Sequence, residues 1–437
     1  MNARAAAVLT LNRFGKGSNY KLEIEKFARQ YSVPDKDLSL FYSIVKGVIQ
    51  NLCYIDFIIS LTYKKNIKKL ERIVLNLLRV GVYQKMILGV PPHAAVYETV
   101  NTAKEICNTE ISKLVNGVLR NLPNESIIEK KLREFNEIKA LSIKYSHPEW
   151  LVKKWVGQFG YNETVELLKF NSIIYSPFFR HNPMKIKWED LVFEIKKMGI
   201  SIRDTEYNGF HFFRSNEPSA LLRSRLFQKR CFSVQDLSQA LSVFLLQPDD
   251  NDIILDCCAG PGGKTTLIGQ ITKRAKLISC DISARKIYLL KKEVDLIGIK
   301  NVKLLKLDAS KDDYPEFNKV IIDAPCTATG TIAKNVDVKF NRKPEDIDKL
   351  RMLQMDILKN ISRQMKRGNI LVYSTCSFER EENWDVIDKF LSTNVDFRVE
   401  HAWKFIDKKY CDDRGAVFVL PYKHKMTGSF AVRLFKY

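Results

Sequence analysis

Hydrophobic and polar positions divide the chain into two textures. From residue 1 to about 125 the apolar residues recur at helical spacing. Leu70, Ile73, Val74, Leu77 and Leu78 fall at i, i+3, i+4, i+7 and i+8, which stacks them on one helix face. Pro91-Pro92 interrupts the pattern, a new helix runs from Ala94 to Ala103, and Leu114, Val115, Val118, Leu119 and Leu122 form a further stripe that Pro123 ends. Ala5–Leu11 reads as the first turns of a helix: it is too short for a membrane span and leads into Asn12-Arg13 rather than a small-residue cleavage site. The polar stretch from Asn124 to Lys139 is expected to be a helix or connector with a weak apolar face.

From about residue 250 short apolar runs alternate with amphipathic stretches. Ile253–Cys257, Leu277–Asp281, Val302–Leu307, Val320–Asp323 and Ile370–Ser374 read as buried parallel strands with helices between them. That alternation predicts a doubly wound α/β domain, in which ligands sit beyond the carboxyl ends of the strands. Between the two textures, short helical and strand-like runs surround Pro148, Pro177, Pro183 and Pro218. The expected organisation is an all-α bundle over 1–125, a small α+β connector over 126–231 and an α/β domain with a mostly parallel sheet over 232–437.

The length of 437 residues agrees with two or three domains. At 45% hydrophobic and 28% charged residues, the chain can bury sizeable cores and is not globally disordered. Its net charge is +21, and the excess is denser in the first half. A basic surface of this size attracts polyanions, among which nucleic acid is the commonest. The nine cysteines form no C-x-x-C pair, which predicts reduced thiols in a cytoplasmic protein, with neither a disulfide framework nor a metal site. No run approaches about 18 apolar residues, so no membrane partner is expected.

The chemistry is concentrated just after the predicted strands. Beyond the first come Asp256, Cys257, Cys258, Ala259, Gly260, Pro261, Gly262, Gly263, Lys264 and Thr265, a turn with few side chains, which lets a ligand approach the backbone. A phosphate-binding loop is excluded, because Cys258 stands where the leading glycine belongs and Pro261 lacks an amide hydrogen. The next strands end at or near Asp281, Asp308 and Asp323. Aspartates in that position suit ribose hydroxyls and an adenine amino group and would repel phosphate, which points to an adenosine-containing ligand such as S-adenosylmethionine. The fourth strand runs into Asp323-Ala324-Pro325-Cys326 and the fifth into Ser374-Thr375-Cys376-Ser377. In the usual strand order these two strands are neighbours, so both thiols would face one cleft, whereas Cys53, Cys107, Cys231, Cys280 and Cys411 read as inert buried residues.

The run Leu255–Thr266, with Asp323-Ala324-Pro325-Cys326 and Ser374-Thr375-Cys376-Ser377, resembles the RNA cytosine-5 methyltransferases that use S-adenosylmethionine, the NOP2/NSUN-like superfamily. Val234-Gln235-Asp236, Ala328-Thr329-Gly330, Glu381-Glu382-Asn383 and Gly428-Ser429-Phe430-Ala431 fit the same pattern. Within it the chain resembles the bacterial 16S ribosomal RNA group called RsmB, Sun or Fmu. Leu78–Gln84, Val90-Pro91 with Ala94-Ala95-Val96, and Val115–Arg120 are similar to the NusB-like RNA-binding domain of that group, and Ser146–Leu151 to the opening of its connector. After Gly330 the group usually has paired arginines and a histidine. Here Ala333-Lys334-Asn335 stand instead, and Phe340 replaces a tryptophan, in a loop expected to touch RNA.

The resemblance implies a Rossmann-like class I methyltransferase domain and methylation of cytosine C5 in 16S rRNA, the family target being cytosine 967. Carbon 5 is a poor nucleophile, so a thiolate must first add at C6, and the family pattern gives that role to Cys376. An unperturbed thiol is only about 3% ionised at pH 7. The resemblance gives Cys326 a part in product release and Asp323 a hydrogen bond near N3 of the base. It makes Lys264 a second contact to substrate or cofactor, with Cys258 to Lys264, Asp281, Asp308 and Asp323 around S-adenosylmethionine. The implied partner is RNA, not DNA, and the protein is expected to act as a monomer. Two alternatives stay open: the same chemistry on tRNA or another RNA, and a non-catalytic RNA-binding or assembly factor.

Overall fold

Asparagine caps set the starts of the short helices in the front of the chain. In the computed structural model, which describes residues 1–14, 20–173 and 175–437, the side chains of Asn108, Asn124 and Asn136 each accept a hydrogen bond from the amide three residues on (2.9, 3.1 and 2.9 Å). Each thereby satisfies an otherwise unpaired first-turn amide. They open the helices Thr109–Arg120, Glu125–Leu132 and Glu137–Lys144, so the stretch expected as a helix or connector holds one short helix and the start of a second. The stripe at Ile73, Val74, Leu77 and Leu78 lies on the helix Arg72–Val82, while Leu70 packs on the same core from the turn just before it.

The chain divides into two compact units, Met1–Ile173 with Asn335–Arg342, and Ile174–Lys334 with Lys343–Tyr437. The first is all-helical around one core that includes Phe41, Ile44, Leu77, Leu78 and Leu119. The helices Glu149–Phe159 and Tyr161–Asn171 lie in this unit, so compactness places a boundary at residue 173. Residues 335–342 enter the same core through Val336 and Phe340, and Lys339, fully buried, donates to the Gln50 carbonyl at 2.8 Å. Burial without a carboxylate partner on this contact lowers the Lys339 pKa to about 7. None of residues 331–342 is exposed: Ala333 is buried and Lys334 and Asn335 are half-buried, so the segment expected as an RNA-contacting loop is largely packed against the protein's own residues.

The second unit opens with an antiparallel sheet of β1 (Phe179–His181), β2 (Ile202–Tyr207), β3 (Phe210–Ser215) and β4 (Phe232–Val234), in the order β2-β3-β1-β4. Asn208-Gly209 turns β2 into β3 with φ of 48° and 75°, the left-handed pair that a two-residue hairpin requires. Then comes the large sheet: β5 (Ile253–Asp256), β6 (Lys276–Cys280), β7 (Val302–Leu305), β8 (Lys319–Asp323), β9 (Ile370–Thr375), β10 (Phe397–Glu400), β11 (Val417–Val419) and β12 (Ser429–Lys436). Its order is β10-β12-β9-β8-β5-β6-β7, with β11 also paired to β12. The five strands β5 to β9 pair parallel, as their apolar runs predict, and β10 to β12 add an antiparallel edge that the sequence pattern did not disclose.

Alternate residues of the central strands face opposite layers. Ile254, Leu277, Ile321 and Val372 pack toward the helices Leu237–Leu246 and Ala284–Ile297, whereas Leu255, Ile278, Val320 and Leu371 pack toward Pro344–Gln364 and Trp384–Leu391. Both faces are therefore covered. The strand order reverses between β5 and β8, and this opens a crevice at their carboxyl ends. Replacing Gly209 by alanine should cost about 1 kcal/mol, because an L side chain is strained at positive φ. Urea unfolding checks this, and an unchanged midpoint would contradict the turn assignment.

Candidate functional site

Beyond the ends of β5 to β8 lies a cavity of about 200 Å³. Cys258, Asp281, Asp308 and Asp323 supply its polar wall, and Ile282, Pro325, Leu353 and Ile357 an apolar one. The strand ends thus bring together three of the expected acids. Asp281, buried just past β6, accepts the Gly260 amide at 3.0 Å and the Ser283 amide at 2.9 Å, and pairs with Lys286 at 3.2 Å. Asp308 accepts the Ser310 amide and hydroxyl (3.0 and 2.7 Å), and these bonds hold its carboxyl below the usual carboxylate range. Cys257, Lys286 and Ser310, which also line the cavity, were not among the expected residues; only their nearness to strand ends could have signalled them.

Asp256 behaves differently from the other strand-end acids. It turns into the interior, accepts the Thr265 hydroxyl at 2.7 Å and leaves its other oxygen without a hydrogen bond. Burial pushes its carboxyl up to about 7. Its place is behind the glycine turn, not in the cavity wall.

The turn itself supports the cavity more than it lines it. Of Cys258, Ala259, Gly260, Pro261, Gly262, Gly263 and Lys264, only Cys258 faces the cavity; the Gly260 amide is engaged by Asp281, and Pro261 and Gly263 are exposed. Ala259 donates to the Cys280 carbonyl at 2.8 Å, which ties the turn to β6. Arg180 on β1 and Gln235 after β4 both donate to the Gly263 carbonyl (3.3 and 3.1 Å) and so fix the start of the helix Gly263–Ile271. That helix delivers Lys264, almost wholly buried, whose ammonium meets Asp323 at 2.6 Å. The pair orients the Asp323 carboxylate at the cavity edge, and Ser374 on the neighbouring strand donates to its other oxygen at 3.3 Å.

The two strand-end thiols meet. Asp323 on β8 stands opposite Ser374 on β9, and three and two residues later the sulfurs of Cys326 and Cys376 are 3.3 Å apart. Gly330 donates its amide to the Cys376 carbonyl at 3.0 Å; a Cβ at Gly330 would lie 2.8 Å from that oxygen, so no other residue fits without displacing the loop. The Cys326 thiol is held well above its ordinary range by the Cys376 sulfur, by burial and by the Glu382 carboxylate. Cys280, with its pKa pushed up to about 12 by burial, and Cys257, also raised, are inert neighbours.

The donor set fits S-adenosylmethionine. Its ribose hydroxyls and adenine amino group are donors and its ammonium and sulfonium are cationic, so a wall of carboxylates beside apolar side chains complements it, and a phosphate would be repelled. Among the described residues no group of three or more His, Cys, Asp or Glu side chains could hold a metal ion, and no single helix is long and apolar enough to cross a membrane.

The sequence profile of the family described as 16S rRNA methyltransferase RsmB/F matches residues 243–435, and that of the NusB family matches residues 1–124. The chain is 32% identical over 396 residues to ribosomal RNA small subunit methyltransferase B of Proteus mirabilis, covering 88% of this chain and 90% of that protein. It is 30% identical over 394 residues to the probable ribosomal RNA small subunit methyltransferase B of Bacillus subtilis, covering 86% and 85%. The crystal structure of PH0851 matches over 100% of this chain and 99% of its own, with a TM-score of 0.81 and 22% identity. NSun6 from Pyrococcus horikoshii with SFG matches 66% of this chain and 98% of its own at a TM-score of 0.59 and 22% identity. These two likenesses establish the fold.

Two outcomes are expected from the acids. Asp281→Asn should weaken binding of S-adenosylhomocysteine at least about 10-fold in calorimetry, the loss of one charge-assisted contact; undiminished affinity would remove Asp281 from the site. For Asp256 the folded pKa exceeds the unfolded value near 4, so the native state holds the proton longer and stability falls as pH rises from about 4 through about 7. Asp256→Asn should gain on the natural protein in urea unfolding over that interval, and a difference that does not change with pH would contradict it.

Proposed function

This chain belongs to the RsmB/F family of S-adenosylmethionine-dependent ribosomal RNA methyltransferases, and on that premise we propose that it methylates carbon 5 of a cytosine in 16S rRNA, the family target being cytosine 967, through a covalent cysteine–C6 adduct. The observation that carries the reading is the meeting of Cys326 and Cys376 at 3.3 Å beside a carboxylate-lined cavity. A protein that only bound RNA would have no use for two converging thiols.

S-adenosylmethionine, when bound, supplies an electrophilic methyl group. The residues proposed to hold it are Asp281 and Asp308 on the polar wall, with Cys258 and the turn from Ala259 to Gly263 behind them and Ile282, Leu353 and Ile357 against the base. The Cys376 sulfur adds to C6 of the cytosine, which makes C5 nucleophilic. Asp323, oriented by Lys264 at 2.6 Å, takes the hydrogen bond near N3 and steadies the charge that develops as the bond forms. After methyl transfer the C5 proton passes to water, the electron pair of its C–H bond restores the C5–C6 double bond and the Cys376 sulfur is expelled as thiolate. Cys326, its sulfur 3.3 Å from that of Cys376, can donate its S–H to the departing sulfur, which supports its part in this second half.

The target atoms are stacked in a folded RNA, so the base must be turned out or lie in a loop, at a cost of a few kcal/mol. The net charge of +21, denser in the first half of the chain, supports phosphate contacts that offset this cost. The protein is proposed to work as a cytoplasmic monomer on RNA, with neither DNA nor a membrane as partner.

Incubation with S-adenosylmethionine and deproteinised ribosomal RNA, followed by bisulfite mapping, should yield one new 5-methylcytosine in 16S rRNA. A signal confined to tRNA would replace the substrate, and no signal in any RNA would end the enzymatic reading. Cys376→Ala should abolish turnover, whereas Cys326→Ala should leave a covalent protein–RNA complex visible on a denaturing gel. The adduct appearing with Cys376→Ala instead would reverse the two roles.

A further inference from the structure

One helical turn after β9 holds the loops of both thiols. This turn, Arg380–Glu382, is followed by Asn383. Glu382 is fully buried and Asn383 nearly so. One Glu382 carboxylate oxygen accepts the amide of Thr327 at 2.8 Å and the Gln354 side-chain amide at 3.2 Å; the other accepts the Thr327 hydroxyl. The same Gln354 nitrogen donates to the Pro325 carbonyl at 2.9 Å. Glu382 and Gln354 thus grip the residue on each side of Cys326. Asn383 does the same for the other thiol: its oxygen accepts the Thr375 hydroxyl at 2.6 Å and its nitrogen donates to the Ser377 carbonyl at 3.0 Å, the residues flanking Cys376. Tyr373 on β9 fixes the turn by donating to the Glu382 carbonyl at 2.7 Å, and the Thr327 and Ser377 hydroxyls meet at 3.0 Å.

We propose that Glu382 and Asn383 are positioning residues that set the two thiols against each other from a single backbone turn, Glu382 acting on the Cys326 loop and Asn383 on the Cys376 loop. Packing alone does not account for the pair. A buried carboxylate is costly unless its hydrogen bonds are made, and apolar side chains of the same size would fill the space at less cost. The bonds of Glu382 to Thr327 and of Asn383 to Thr375 and Ser377 go to residues adjacent to the sulfurs. The burial that raises the Glu382 pKa also puts its charge where it disfavours a second thiolate at Cys326. A loop displaced by about 1 Å can lose about 100-fold in rate, so a rigid reference shared by both loops has a direct kinetic use.

The division of labour rests on the roles proposed above for the two thiols, and the test separates the two ideas. Full-length Glu382→Ala, Glu382→Gln and Asn383→Ala are assayed with S-adenosylmethionine and ribosomal RNA beside Cys326→Ala, with turnover, covalent adduct and S-adenosylhomocysteine affinity measured on each. Glu382→Ala should lose about 10- to 100-fold in turnover and accumulate the adduct, as Cys326→Ala does. Glu382→Gln, which keeps an acceptor for the Thr327 amide, should recover part of the rate. Asn383→Ala should lose a similar factor without adduct, and all three should bind S-adenosylhomocysteine within about 2-fold of the natural protein. If Cys326→Ala itself gives no adduct, the thiol roles fail and the positioning claim is read independently. Diamide takes two electrons and two protons from a thiol pair to make the disulfide, itself becoming the hydrazine, and the rate of Cys326–Cys376 closure, followed by mass spectrometry, reports their approach. That rate should fall in Glu382→Ala and Asn383→Ala. Closure and turnover at the natural rates, or equal losses in both variants with no difference in adduct and a collapsed cofactor affinity, would overturn the proposal.

Discussion

Backbone pairing of β8 with β9, with Asp323 opposite Ser374, brings together two loops whose cysteines are 50 residues apart in sequence. The helix Pro344–Gln364 takes up 21 residues of that separation and packs back on the sheet, so the distance between the thiols is set by strand register: moving β9 by one residue would turn its buried side chains to the opposite layer. Everything proposed for the reaction hangs on this register. The Lys264–Asp323 pair, the Ser374 hydroxyl and the two sulfurs are all placed by the ends of three adjacent strands, β5, β8 and β9.

Around that frame, burial assigns different tasks to chemically equal groups. Asp256 and Asp281 both close strands of one sheet, yet Asp256 is driven toward neutrality behind the turn while Asp281 receives two backbone amides and a lysine. Cys280 and Cys326 are both cysteines near strand ends, yet Cys280 is shut in the core by burial while Cys326 meets the Cys376 sulfur at 3.3 Å. The chemistry comes from the surroundings each side chain meets there, and residue type alone does not decide it.

Much of this was legible in the sequence because it is written in short-range pattern. The five parallel strands appear as apolar runs, and three of the four acids at the ends of β5 to β8 do face the crevice. Adjacency of Cys326 and Cys376 is implied by the usual strand order alone. The rest depends on contacts at long sequence separation. The antiparallel edge β10 to β12 pairs residues near 400 with the C-terminal strand; β10 and β11 are only four and three residues long, and the longer β12 carries Arg433 in its interior. The burial of Val336 and Lys339 among the front helices could not be read from a stretch that looks like an ordinary polar loop. The hairpin at Asn208-Gly209 is a different case, since its dipeptide is a strong local signal between two strand-like runs that sequence reasoning passed over.

The central claim, that Cys376 is the sulfur that bonds to the base, is tested most directly on the unaltered protein. Ribosomal RNA carrying 5-fluorocytosine retains the adduct, because fluorine at C5 cannot leave as a proton does, and protease digestion with mass spectrometry then identifies the modified peptide. The predicted product is a nucleotide bonded to the peptide containing Cys376, formed only with S-adenosylmethionine present. A nucleotide on Cys326 or Cys258, or no adduct in RNA that is otherwise methylated, would contradict it.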